Sequence, residues 1–178
     1  MMNKIFNEQS IARPVMKVKK VHPDAVIPSY AHDGDSGLDL YTVEDVVLAP
    51  KATGVAPTGI IASLPPFTEL QVRNRSGITV KGCKCTIVRT VVNGNVKLTL
   101  GGKQEQCAVD VKLGTVDNPY RGEIGIIVTN NEDGTVTIPK GTKLAQAVVC
   151  PVIFVDVEEV DELSETSRGD KGYGSTGV

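Results

Sequence analysis

Apolar residues along this 178-residue chain come in short runs closed by Gly, Pro, Asn or Asp. The runs DVVLAP (45–50), TGIIASLP (58–65), TELQVR (68–73), CTIVRTVV (85–92), NVKLTL (95–100), IGIIVTN (124–130), GTVTIP (134–139) and LAQAVVCPVIFVDV (144–157) are rich in β-branched residues, which suit a pleated, half-buried surface. No window of helical length keeps an apolar stripe at i, i+3, i+4 and i+7 with caps at both ends. Asn93-Gly94 in VNGN and Asp133-Gly134 in EDGT fit two-residue type I′ hairpin turns. About ten short strands separated by turns predict an all-β sandwich, jelly roll or barrel. No repeat of fixed period is visible.

Composition narrows the class. Hydrophobic residues at 40% and charged residues at 22% are ordinary for one globular domain with a core of its own. With 19 basic against 21 acidic side chains, the net charge of -2 gives no field for nucleic-acid binding by backbone neutralisation. The opening MMNKIFNEQS has no apolar run for a signal-peptide core, and no membrane-length apolar stretch occurs, so the expectation is no membrane and a cytoplasmic location. Cys83, Cys85 and Cys107 invite a metal reading, yet the C-x-C spacing lacks C-x2-C pairs and His22 and His32 are distant in sequence. Reduced structural thiols are the expectation.

Candidate chemistry sits mainly in loops. Tyr120 in DNPYRG and Tyr173 in KGYGS stand beside glycines in a chain without tryptophan; a ring so placed is either mobile or offered to something flat, such as a nucleobase. The terminal RGDKGYGSTGV supplies a guanidinium at Arg168, hydroxyls at Ser175 and Thr176, and glycine backbone that can approach phosphate oxygens. A frayed tail is the plain alternative, and a lid that orders over a polyphosphate is the functional one. Arg75-Ser76-Gly77 places a guanidinium, a hydroxyl and open backbone in three consecutive residues, as a phosphate site or as a surface turn. Asp39, between Leu38 and Leu40, should face away from both by strand alternation, and Asp117 should lie at a strand end where a turn begins. Each could be a solvated turn residue. Phosphoryl chemistry needs carboxylates of two kinds, one holding magnesium through water and one activating a water.

Taken in order, DSGLDLYT, RSGI, GTVDNPYRGEIGI, KGTKLAQAVV and RGDKGYGSTG resemble the five motifs of the homotrimeric dUTPase family, from about Val21 to the C-terminus. The resemblance implies a jelly-roll-like (β-clip) subunit over 21–163, an N-terminal extension over 1–20 and a flexible glycine-rich lid arm over 164–178. It implies a dUTP diphosphatase that forms dUMP and pyrophosphate, keeping uracil out of DNA and supplying dUMP for thymidylate synthesis. A homotrimer with shared sites is implied, along with Mg2+. By the same resemblance Asp117 activates the water that attacks the α-phosphorus, and Asp39 holds the magnesium through water. Arg75, Ser76, Gly77 and Gln146 contact the phosphates, and backbone at Gly114 and Gly125 pairs with uracil. Tyr120 packs under the deoxyribose and excludes a 2′-hydroxyl. In the arm Tyr173 stacks on uracil, Arg168, Ser175 and Thr176 clasp the γ-phosphate, and Gly174 belongs to the same binding stretch.

The chain departs from the family pattern at several points. Asn74 stands where proline is common, Thr142-Lys143 replace the usual Asp-Arg, and Pro119 is uncommon. Neither of the first two changes removes a group with an assigned role, though both could loosen phosphate positioning. Between Gly77 and Gly114 some two dozen extra residues, about 83–106, read as an inserted β-hairpin turning at Asn93-Gly94. It is either a stabilising ribbon or a protein-binding surface. A dCTP deaminase of the same fold is the alternative enzyme, but Ile127 stands where its catalytic Glu is expected. A dUTPase whose insert binds a protein under nucleotide control is the third reading.

Overall fold

A computed structural model describes residues 13–170 apart from 94 and 95. In chain order its elements are β1 (Lys17–Lys20), β2 (Leu38–Tyr41), β3 (Val46–Leu48), β4 (Thr53–Pro57), β5 (Ile60–Ser63), β6 (Thr68–Asn74), helix α1 (Ser76–Lys81), β7 (Cys83–Asn93), β8 (Val96–Cys107), β9 (Val109–Val111), β10 (Gly114–Val116), β11 (Gly125–Asn130), β12 (Thr135–Ile138) and β13 (Lys143–Pro151). The strands form sheets of order β1-β5, β10-β6-β13-β2, β4-β11-β9 and β3-β12-β7-β8, with every pairing antiparallel. This is the all-β body that the alternating runs predict, in the jelly-roll-like form that the motif resemblance implies.

Alternation places the core. In β11 Ile126, Val128 and Asn130 point inward, and in β12 Val136 and Ile138 do the same. They meet Leu40, Leu70 and Val72 from the neighbouring sheet in one contiguous cluster. Each buried Leu, Ile or Val contributes about 1.5–3 kcal/mol by leaving water.

One register break matters later. The pairing of β13 with β2 shifts between Lys143 and Ala145, so Lys143 opposes Tyr41 while Gln146 opposes Asp39. Leu144 is the extra residue, and it and Ala145 are both buried. A bulge of this kind turns the residue before it onto the other face of the strand; here Lys143 joins the face of Gln146 and Asp39.

Three sequence expectations change. The six-residue α1 was invisible because it is too short to show a periodic stripe. The turn at Asp133-Gly134 joins no hairpin: β11 pairs with β4 and β9, β12 with β3 and β7, so this segment turns a corner between sheets. Gly134 is required there because a Cβ would lie 2.7 Å from the carbonyl oxygen of Val88. The run 144–157 stops being a strand at Pro151. Just beyond it the Val152 amide is held by the Phe67 carbonyl, and Phe154 leans edge-on against Phe67.

A hairpin is present as β7 and β8, paired from Cys83↔Cys107 to Asn93↔Val96, so Asn93 belongs to the ladder and the turn falls at 94–95, one residue beyond the expected Asn93-Gly94 and outside the described residues. Its base is part of the body rather than an appendage. Thr86–Val88 pair with β12, and Cys83, Cys85, Ile87 and Cys107 are all in the core. The three thiols form no disulfide, and hydrogen bonding to Cys83, with burial, pushes the Cys85 thiol far above its usual range. Beyond Val88 the ribbon leaves β12, after a bulge where Gly101 and Gly102 face the single residue Val88.

Candidate functional site

Two cavities hold the residues singled out from the sequence, and they have no lining residue in common. The first, of about 470 Å³, is bounded by Asp39, Arg75, Ser76, Gly77 and Gln146, with His32 and Asp35 at its rim. The second, of about 280 Å³, is bounded by Gly114, Asp117, Tyr120, Glu123, Gly125 and Ile127.

The first cavity is built on the pairing of β2, β13 and β6. Gln146 opposes Asp39 on one side and Arg73 on the other, and its Nε2 donates to the Asn74 carbonyl (3.0 Å). Gly37 lies so close that a Cβ would sit 2.5 Å from Gln146 Oε1. Arg75 caps α1 in extended geometry; its guanidinium donates to the Lys143 carbonyl at 2.9 Å and lies 3.5 Å from Asp39 Oδ1. Ser76 and Gly77 follow, both exposed, and nothing lies within 4 Å of where a Gly77 Cβ would be. The backbone there is open to a ligand.

Asp39 does face away from Leu38 and Leu40, yet it is not solvated. Its side chain is 11% exposed, between Arg75 and Lys143, whose Nζ is 2.7 Å from Oδ2. Lys143 also lies over the Tyr41 ring at 5.6 Å. Hydrogen bonding to Asp39, with help from Tyr41, raises its ammonium pKa above the ordinary lysine value. Sequence reading left Lys143 without a role.

The second cavity is a splay between strands. Lys112 still bonds the Ile127 carbonyl at 2.9 Å, but β10 then leaves for β6, and the chain opens between Gly114 and Gly125. Asp117 directly follows β10, exposed at the lip, and the Tyr120 amide closes a turn onto its carbonyl (3.0 Å). Asn118 Nδ2 anchors that turn to the carbonyls of Pro65 (2.6 Å) and Thr68 (3.2 Å). Arg121 braces it through the carbonyls of Asn118 (2.6 Å) and Tyr120 (2.7 Å). Asn118 and Arg121 were quoted within the motif but given no task. The Tyr120 ring is held, not loose: its hydroxyl donates to the Glu123 carbonyl at 3.2 Å and lies where a Cβ on Gly122 would be.

The arm is described only as far as residue 170. Arg168 is exposed beside a turn in which the Gly169 amide bonds Thr166. Tyr173, Gly174, Ser175 and Thr176 lie outside the described residues. Among the described residues no three His, Cys, Asp or Glu side chains converge as metal ligands, and no helix is long and apolar enough to cross a membrane.

The family model for dUTPase matches residues 24–115 and 101–177. The chain is 42% identical to a deoxyuridine 5'-triphosphate nucleotidohydrolase of Gloeothece citriformis over 163 residues, spanning 92% of this chain and 97% of that protein. It is 41% identical to the protein of that name from Clostridioides difficile, spanning 91% and 97%. Among solved structures it is similar to the dUTPase of Staphylococcus bacteriophage 80alpha with dUPNHPP, at a TM-score of 0.74 and 25% identity, covering 92% of this chain and 99% of the other.

Proposed function

The chain belongs to the dUTPase family, so its reaction is the hydrolysis of dUTP to dUMP, and we propose that a water activated by Asp117 attacks the α-phosphorus. Asp117 accepts a proton from the water as its oxygen bonds to phosphorus, and the bond from the α-phosphorus to the bridging oxygen breaks. Pyrophosphate leaves with that oxygen. The single observation carrying this reading is the division of labour between the cavities: one has a held aromatic ring and a carboxylate at its lip, the other a guanidinium, a hydroxyl and open backbone.

Uracil fits the splay between Gly114 and Gly125, where β10, an edge strand, can offer its outer backbone groups. Tyr120 lies under the sugar, and its fixed hydroxyl leaves a 2′-substituent no easy room. Buried polar groups left unmatched by a wrong base penalise it sharply. Arg75, Ser76, Gly77 and Gln146 bind the phosphates. Magnesium suits this site as an ion gripped chiefly by the triphosphate, with Asp39 holding its water, since no protein cage of three ligands is present among the described residues. The ion supplies charge neutralisation on the phosphate oxygens.

Neighbouring copies complete each other's sites in a homotrimer, a reading supported by two cavities that have no lining residue in common. Further support comes from Ile153, Phe154, Val155, Val157 and Leu163, each between 72% and 93% exposed in the single chain. Such a strip calls for a covering surface. The arm carrying Arg168, Tyr173, Gly174, Ser175 and Thr176 is proposed to close over the nucleotide as a lid.

Asp117→Asn is expected to lower kcat by about 10²–10⁴-fold while affinity for a non-hydrolysable dUTP analogue stays within about twofold. Unchanged turnover would remove Asp117 from its role. Truncation before Arg168 is expected to preserve assembly and cut turnover by at least about tenfold; a truncated enzyme at full speed would make the arm dispensable. The deaminase alternative finds Ile127 as hydrocarbon in the cleft wall, and ammonia released from dCTP would revive it. The hairpin is a proposed protein-binding surface, supported by Val91, Leu98 and Leu100, all about half exposed, with Val91 and Leu98 cross-strand partners on the free ribbon.

A further inference from the structure

Lys143 meets the phosphate cavity through Asp39, which is one of the cavity's lining residues. Lys143 does not itself line that cavity, yet its ammonium is 2.7 Å from Asp39 Oδ2. On the other oxygen of the same carboxylate, Arg75 Nε stands off at 3.5 Å while its NH1 is tied to the Lys143 carbonyl at 2.9 Å. Asp39 therefore has two cations and takes the closer hydrogen bond from the lysine. The bulge at Leu144 makes this possible. Three residues apart on an unbroken strand, Lys143 and Gln146 would face opposite ways, whereas the register shift puts Lys143 across from Tyr41 and diagonal to Asp39. The lysine ammonium lies over the Tyr41 ring at 5.6 Å, on the same side as the Asp39 carboxylate that it bonds.

The charges explain why such an arrangement is useful. A buried carboxylate beside the one phosphate-binding guanidinium of this cavity would pair with it and cancel its charge toward an incoming anion. A second cation on the carboxylate leaves Arg75 uncompensated. Resting on the reading that this cavity binds the phosphate chain, we propose that Lys143 is a positioning residue: it neutralises Asp39 and so keeps the Arg75 guanidinium available to the triphosphate. Lys143 does not touch the nucleotide.

The test is a double-mutant cycle read by equilibrium binding on the full-length protein, with α,β-imido-dUTP and dUMP as ligands, in EDTA and again with magnesium. Lys143→Met keeps an unbranched stem and removes the charge. It is expected to weaken the triphosphate analogue by about tenfold in EDTA, with dUMP within about twofold. Lys143→Arg restores the analogue's affinity. In an Asp39→Asn background, Lys143→Met should cost less than about twofold, since no carboxylate remains to claim Arg75.

Equal losses in both backgrounds would show Lys143 acting on phosphate directly or through the fold, and would overturn the proposal. So would wild-type affinity in Lys143→Met, or parallel loss of dUMP. A wild-type protein that does not prefer the triphosphate analogue over dUMP would instead overturn the phosphate-cavity reading on which the proposal rests. Should Lys143→Met fail to fold alone, the proposal requires that Asp39→Asn rescue its folding, and failure of that rescue counts against it.

Discussion

At the scale of single residues, Asn130 shows how much one polar side chain can organise. It is fully buried, and its Nδ2 donates to the carbonyls of Leu48 (3.1 Å), Ala49 (2.9 Å) and Gly134 (2.9 Å). Its Oδ1 accepts from the Glu132 amide (2.9 Å), so one amide stitches the β3 end to the corner between sheets. Asn130→Leu matches the volume but strands those carbonyls and is expected to cost roughly 2–4 kcal/mol. Urea denaturation should show a lower midpoint at unchanged slope; a loss under about 0.5 kcal/mol would mean the corner satisfies itself without the amide. In the sequence Asn130 reads merely as the end of a run, because polarity suggests a turn and burial depends on segments 80 residues away. Asp39 and Asp117 were legible by contrast, since strand alternation and a following turn fix their settings locally. The partner of Asp39 was not, because a bulge leaves no mark in the pattern of apolar positions.

At the scale of elements, the strands announced themselves wherever β-branched residues alternate between breakers, and the hairpin did so through two such runs around VNGN, although its turn falls one residue past Asn93-Gly94. Short strands such as β9 and β10, and the single helical turn and a half after Arg75, have too few residues for a period to appear. The hairpin also teaches where an insertion ends. Its buried cysteines and its pairing with β12 tie residues up to Val88 into the body, and Arg89, just past that boundary, reaches back to Glu105, opposite Cys85, in an ion pair at 2.6 Å. Arg89 and Leu100 are cross-strand partners, so joining them through an Asn-Gly turn in place of residues 90–99 should leave the base intact. That shortened protein is expected to keep turnover within about twofold and its melting point within a few degrees, because surface ribbons contribute little to closure or core. A collapse of activity in a folded, shortened protein would place the ribbon within the catalytic unit.

At the scale of the whole molecule, the fold reads as one all-β body, and the site proposed above is divided between subunits. The sequence motifs gave an inventory of residues without saying which chain each serves, since order along a chain carries no information about neighbours in an assembly. The geometry separates them: the Asp117 lip and the Arg75 cradle occupy different cavities of one subunit. Two defective proteins can therefore repair one another. Asp117→Asn and Arg75→Ala chains, each silent alone, should recover activity when unfolded together and refolded as a mixture, with about a quarter of the sites drawing an intact half from each of two neighbours. If the blend stays as silent as its parents, each subunit works by itself. In a cell carrying two damaged copies of the gene, the same arithmetic would let the pair sustain what neither allele could.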